Sequence, residues 1–215
     1  MKQCAIFDLD GTLLDSVVDI AASCNKALEA CGYPTHTLAE VKTYIGNGAR
    51  PLIHRALPAD ISDEEEERVY RRFLEEYERS SEQGGTPFPG VVELLRRLRE
   101  AGIRIAVNTN KPEKMTQNLV KSCFGGLVEL TYGQQDDRPS KPDPAMVLHI
   151  LEQFQLPREG AVYIGDSPVD AATARNAGID MLIVDWGYST PQKLREAGVE
   201  TLCHSAEELY DAIAR

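Results

Sequence analysis

Four short apolar runs, Cys4 to Phe7, Ile103 to Val107, Ala161 to Ile164 and Met181 to Val184, set the strongest limit on how this chain can fold. Each is partly β-branched or aromatic and reads as buried on both faces, the pattern of strands inside a parallel sheet. A weaker run of the same kind lies between Leu127 and Tyr132. Helical patterns separate the runs. Val91, Leu94, Leu95 and Leu98 recur at helical spacing before a stop at Gly102, and Met146, Val147, Ile150 and Leu151 form a second apolar face. Strand and helix in alternation predict an α/β sheet with right-handed crossovers.

One stretch breaks the alternation. From Val17 to Ser81 the chain shows helical patterns and no convincing strand. The first pattern, Val17 to Ala30, is closed by Gly32 and Pro34; the last, Asp63 to Arg79, has Ser62 as its N-cap. The Glu64 to Glu67 run reads as a solvated helix face. Gly84-Gly85-Thr86-Pro87 returns the chain to the α/β rhythm. The expected architecture is a parallel Rossmann-like sheet core, residues 1–15 and 85–215, with an inserted all-helical cap domain, residues 16–84.

The strands end in chemistry. The first leads into Asp8-Leu9-Asp10-Gly11-Thr12, the second into Asn108-Thr109-Asn110, and the Ala161 run into Gly165-Asp166-Ser167 with Asp170 beyond. Open parallel sheets bind ligands outside the carboxyl ends of their strands, so these segments meet at one rim. Singly, such aspartates serve as caps and turn residues. Gathered, Asp8, Asp10, Asp166 and Asp170 would repel one another and raise each other's pKa. A hard divalent cation removes that conflict, and Mg²⁺ suits a few carboxylates, waters and a phosphate oxygen. Lys141, before Pro142, is expected to be extended, with Asp143 and Pro144 opening the next helix on the same rim. With the Thr109 hydroxyl and the Asn110 amide it makes a cradle for a tetrahedral anion.

Composition narrows the partners. Acidic residues outnumber basic ones, 34 against 23, for a formal charge of −11. That argues against general nucleic-acid binding, which rests on Lys and Arg, while leaving room for a small anionic substrate in a locally positive site. The five cysteines are scattered, with no Cys-x-x-Cys pair, so neither a zinc site nor a disulfide framework is expected. Neither a signal peptide nor a membrane-spanning run is recognisable. A cytoplasmic monomer or homodimer acting on a small phosphorylated metabolite, with no nucleic-acid or membrane partner, is the expectation. Gly46-x-Gly48 lacks the third glycine of a dinucleotide fingerprint, and the four histidines show no metal-ligand spacing.

Taken in order, Asp8-Leu9-Asp10-Gly11-Thr12, Thr109, Lys141 and Gly165-Asp166-Ser167 with Asp170 resemble the four motifs of the haloacid dehalogenase superfamily. The resemblance covers the whole chain, and the helical insert is similar to the cap of one subgroup. It implies Asp8 as nucleophile and Asp10 as general acid, then general base. Thr109 and Lys141 would hold the transferring phosphoryl group, with Asn110 beside them. Mg²⁺ would sit on the Asp8 carboxylate, the Asp10 carbonyl and Asp166, with Asp170 orienting its waters or binding less directly. An acid at position 10 favours phosphoryl transfer over dehalogenation.

The cap loop Tyr44-Ile45-Gly46-Asn47-Gly48-Ala49-Arg50, with Thr109-Asn110-Lys111-Pro112, resembles that of phosphoglycolate phosphatases. This makes Asn47, Gly48 and Arg50 candidate specificity residues and 2-phosphoglycolate the expected substrate. Arg suits a carboxylate through its planar fork, and the bland alternative for the loop is a glycine helix stop. Pyrophosphate or another small phosphate remains an alternative substrate, and a phosphosugar mutase would use the same chemistry. A non-catalytic protein on this scaffold would be expected to lack Asp8, Asp10 or Lys141, and all three are present.

Overall fold

The computed structural model describes residues 1–215 and contains one six-stranded parallel sheet. Its strands are β1 (Cys4–Phe7), β2 (Arg104–Pro112), β3 (Leu130–Gln134), β4 (Ala161–Gly165), β5 (Asp180–Val184) and β6 (Leu202–Cys203). The order is β3-β2-β1-β4-β5-β6. β1 is central: Phe7 pairs with Val107 of β2 on one side and Ile164 of β4 on the other. The chain first builds outward through β2 and β3, then returns to the far side of β1. The carboxyl end of β1 is therefore the topological switch point, where such sheets bind ligands.

Both faces of the sheet are covered, which is why its strands read as continuous apolar runs. Phe7, Val107 and Ile164 pack on one face with Leu94, Leu95 and Leu98. Those leucines belong to α5 (Val91–Glu100). On the other face Ile6, Ala106 and Tyr163 meet Val147, Ile150 and Phe154 of α7 (Ala145–Phe154). The remaining core helices are α6 (Glu113–Phe124), α8 (Pro168–Ala177), α9 (Pro191–Glu196) and α10 (Ala206–Ala214).

Between β1 and α5 the chain forms only helices: α1 (Val17–Cys31), α2 (Leu38–Tyr44), α3 (Ala49–Ala56) and α4 (Asp63–Ser81). They bury an apolar cluster of their own, including Leu28, Val41, Ile53 and Phe73, to which Met115 of α6 contributes from below. Local signals set their ends. Ser62 Oγ accepts the Glu65 amide to start α4, and Gly32, at φ 84°, ends α1 in the left-handed conformation that glycine tolerates best. No helix is long and apolar enough to cross a membrane.

Three expectations need correction. β2 runs on to Pro112, carrying the whole Asn108 to Pro112 polar stretch as strand. β3 lies later than the Leu127 to Tyr132 run, because Gly125–Leu127 turns as a short 3₁₀ segment. The Glu64 to Glu67 face is more than a solvated one: Glu66 pairs with His54 at 2.8 Å and Glu67 with Arg50 at 2.8 Å, tying α4 to α3. β6, only Leu202–Cys203, is too short to carry a periodic signal.

Candidate active site

The carboxyl ends of β1, β2 and β4 bring Asp8, Thr109 and Asp166 to one rim, all buried. They line a cavity of about 500 Å³ between the rim and the helical insert, shared with Asp10, Asn110 and Lys141. The loop between α2 and α3 contributes Gly46 and Gly48, the start of α3 contributes Ala49, and the segment after β5 contributes Gly187 and Tyr188.

Lys141 is the electrostatic centre. Its ammonium lies 2.8 Å from Asp8 Oδ1 and 2.7 Å from Asp170 Oδ1, with the side chain 4% exposed. Burial alone would push such a lysine down, but the Asp170 and Asp8 carboxylates override it and hold Lys141 well above its ordinary range. The extended placement expected before Pro142 is enforced from β2. The Asn110 carboxamide accepts the Lys141 amide at 2.8 Å and donates to the Lys141 carbonyl at 3.2 Å. The Asn110 carboxamide thus holds the Lys141 backbone, while Asn110 itself lines the cavity. The helix start is also shifted: α7 begins at Ala145, whose amide donates to Asp143 Oδ1 at 2.8 Å.

Asp170 opens α8 in a capping box with Ser167. Its Oδ2 accepts from the amides of Asp166 and Ser167, at 3.2 and 3.0 Å, and from Ser167 Oγ at 2.6 Å. With Oδ1 on Lys141 at 2.7 Å, Asp170 braces Lys141 and has less room for a metal than Asp166. Asp166 is freer: the Tyr188 amide donates to its Oδ2 at 2.6 Å. Burial first, then the Asp170 and Asp8 charges, raise Asp166 well above the usual carboxylate range. Asp8 is pushed up to about 6, again chiefly by burial, with Lys141 opposing.

These carboxylates fit a cation. One oxygen or more from each of Asp8, Asp166 and Asp170 lies within 4.8 Å of the others. Asp8 Oδ1 is buried, and apart from the Lys141 ammonium at 2.8 Å it has no hydrogen-bond partner. A buried carboxylate with one close cation, beside a second carboxylate whose pKa is raised, is stabilised by an added positive charge. The Asp10 side chain is not part of this cluster, which leaves only its carbonyl for the metal role.

Asp10 faces a different set of partners. Ser16 Oγ donates to its Oδ1 at 2.6 Å, and Lys111 Nζ lies 3.0 and 3.2 Å from its two oxygens. The Lys111 side chain has no exposed surface and is hydrogen-bonded to the Tyr77 hydroxyl of α4. Burial lowers the Lys111 pKa against the opposing pull of Asp10. The sequence gives Lys111 no role of its own, only a place in the Thr109-Asn110-Lys111-Pro112 segment.

Two of the specificity candidates are not brought to the cavity. The Arg50 guanidinium reaches Glu67 at 2.8 Å and lies 4.0 Å over the Tyr70 ring, outside the cavity lining. The Asn47 side chain accepts from Arg55 at 2.8 Å and does not line the cavity either. Gly48 does, at φ 95° and with its Cβ position 3.2 Å from the Asn110 carbonyl, so the loop approaches the rim through backbone. The lining cations that remain are Lys42 of α2 and Lys193 of α9, neither of which has a carboxylate within salt-bridge distance. Lys42 stands 5.4 Å from the centre of the Tyr188 ring. Gly187, also unnoticed in sequence, has a simple reason: a Cβ there would lie 2.3 Å from the Asp166 Cβ.

Comparison with known proteins agrees with this geometry. The family model for haloacid dehalogenase-like hydrolases matches residues 5–184. The chain is 34% identical over 202 residues to phosphoglycolate phosphatase 1 of Pseudomonas aeruginosa, covering 91% of this chain and 74% of that protein. It is 36% identical over 213 residues to a phosphoglycolate phosphatase of Rhodobacter capsulatus, covering 96% and 92%. A crystal structure from Lactobacillus delbrueckii subsp. bulgaricus, provisionally named a phosphoglycolate phosphatase, superposes with a TM-score of 0.93 at 32% identity, covering 99% of each chain.

Proposed function

The chain belongs to the haloacid dehalogenase-like hydrolases, and from that footing we propose that it is a Mg²⁺-dependent phosphatase working through an aspartyl-phosphate on Asp8, with 2-phosphoglycolate as preferred substrate. The observation that carries the reading is Asp8 itself. It lies at the switch point of the sheet, buried and lining the cavity, with a lysine ammonium at 2.8 Å from Oδ1.

In the first half-reaction an Asp8 oxygen attacks phosphorus in line. The Asp8 oxygen–phosphorus bond forms as the ester oxygen–phosphorus bond breaks, and Asp10 gives its proton to the departing oxygen. In the second half-reaction Asp10, now a carboxylate, takes a proton from water. The water oxygen bonds to phosphorus, Asp8 is released, and inorganic phosphate leaves. Lys141 and the Thr109 hydroxyl hold the phosphoryl oxygens, since the task is mainly alignment and charge neutralisation. Asp8, the Asp10 carbonyl and Asp166 would hold Mg²⁺, which supplies the charge that lets a carboxylate approach a phosphate dianion. Residues 16–84 form the cap in this proposal, closing over the core of residues 1–15 and 85–215 to keep bulk water from the intermediate.

The substrate preference rests on the similarity to named phosphoglycolate phosphatases. It gains support from the cavity, where Lys42 and Lys193 carry charge that no protein carboxylate neutralises. A leaving group that is itself anionic would meet them. The test is kcat/KM with Mg²⁺ across 2-phosphoglycolate, pyrophosphate, sugar phosphates, nucleotides and p-nitrophenyl phosphate. A preference of roughly a hundredfold for 2-phosphoglycolate, about 2.7 kcal/mol of differential transition-state binding, is expected. A flat profile would discard the substrate. Asp8→Asn is expected to lower kcat by at least about 10⁴-fold with the melting temperature retained. Substantial turnover by that variant would discard the nucleophile.

A further inference from the structure

Lys111 is a fully buried ammonium to which the reaction above gives no work. It comes from β2, only two residues beyond Thr109, and its side chain is 0% exposed. Taking an ammonium out of water costs several kcal/mol unless its surroundings repay it. Three groups do so here: both oxygens of Asp10, at 3.0 and 3.2 Å, and the Tyr77 hydroxyl. The Tyr77 ring lies beneath the ammonium, 4.0 Å from its centroid. The only other side chain bonded to Asp10 is Ser16, which holds a single oxygen, Oδ1.

We propose that Lys111 is a positioning residue for Asp10, fixing the plane of the carboxyl that delivers the proton to the leaving oxygen. This rests on the phosphatase reading and deepens it. A carboxyl held at one oxygen by Ser16 can still swing about that contact. A cation straddling both oxygens removes the freedom, and Tyr77 in turn fixes the cation. Proton delivery is sensitive to such placement, because a misplacement of about 1 Å can cost about 10²-fold. Asp10 takes part in two proton transfers, so a fixed carboxyl serves both half-reactions.

The consequence is a selective dependence on leaving group. An alkoxide such as glycolate needs the proton as the ester bond breaks. A p-nitrophenolate leaves readily without one. Both substrates pass their phosphoryl group to Asp8 by the same route, and kcat/KM reports that first transfer. If Lys111 acts by placing Asp10, its removal injures the first substrate far more than the second. A role in packing alone would injure both alike.

The test compares wild type, Lys111→Met and Tyr77→Phe on 2-phosphoglycolate and p-nitrophenyl phosphate, with Mg²⁺ and with circular dichroism to follow folding. For Lys111→Met the loss in kcat/KM on 2-phosphoglycolate is expected to exceed that on p-nitrophenyl phosphate by at least about tenfold, carried by kcat more than KM. For Tyr77→Phe the same imbalance is expected at about threefold, and this variant decides the matter if Lys111→Met does not fold. Equal losses on both substrates, or none, overturn the proposal. Wild-type turnover of p-nitrophenyl phosphate tests the phosphatase reading separately, so the two cannot fail indistinguishably.

Discussion

Lys141 at the sheet rim and Arg50 on the helical insert make ion pairs of the same length, 2.8 Å to Asp8 and 2.8 Å to Glu67. Their surroundings differ. The Lys141 side chain is 4% exposed and caught between two carboxylates, whereas Arg50 is 53% exposed and Glu67 35%. In water-poor surroundings a charge pair is strong and its disruption costly; at a wet surface the same pair is screened and nearly neutral in energy. Contact distance alone therefore does not rank the two. The rim is a fixed constellation in which each group is braced by a neighbour, and the outer face of the insert is an exchangeable ladder of charges.

The largest effect expected from this contrast is at Asp170. Asp170→Ala would leave the Lys141 ammonium buried with Asp8 alone and strip partners from the Asp166 and Ser167 amides. Breaking a buried pair in this way costs about 3–5 kcal/mol. Urea unfolding should show that loss, together with a collapse in kcat. A change below about 1 kcal/mol would mean that the rim is no better braced than the surface.

That bracing explains what could be read from sequence. Asp8, Asp166 and Lys141 sit where strands end or just before a helix opens, so backbone topology alone brings them together. The parallel sheet, the helical run between residues 17 and 81 and the motif aspartates were legible for that reason. Long-range side-chain direction was not. Arg50 enters α3 at its second residue and points along α4 to a glutamate 17 positions later, which no local pattern predicts. Lys111 is buried because β2 continues through Pro112 and brings its ammonium to the Tyr77 hydroxyl of α4, a contact across 34 positions. Nor does any local pattern announce that the Asn110 carboxamide holds the Lys141 backbone 31 residues on.

The same contrast predicts which cations matter for the substrate. Lys42 lines the cavity without a carboxylate partner; Arg50 lies outside it with one. Lys42→Ala with Lys193→Ala is expected to lower kcat/KM on 2-phosphoglycolate by about tenfold more than on p-nitrophenyl phosphate, the order of one exposed charge contact for each lysine. The deficit should shrink in high salt. Arg50→Ala is expected to leave the ratio between the substrates unchanged and stability within about 1 kcal/mol. A selective loss from Arg50→Ala, with none from the lysines, would reverse the assignment and return Arg50 to the substrate.

The smallest effect should come from a pair that joins the two environments. His204, 63% exposed, holds Asp185 Oδ2 at 2.5 Å, and Asp185 lines the cavity. The hydrogen bond to Asp185, then its charge, raises the His204 pKa above the ordinary 6.5. A raised histidine is one whose protonated form is favoured in the folded state. Its contribution is therefore fully present below pH 6.5, the unfolded value, and is lost as pH rises through the higher folded value. His204→Gln should melt below wild type at about pH 5.5 and converge with it by about pH 9, with the gap at acid pH narrowing in salt. A gap that persists at alkaline pH would mean that the neutral imidazole packs or hydrogen-bonds as well as the charged one. This part of the cavity wall would then belong with the braced rim and not with the screened surface.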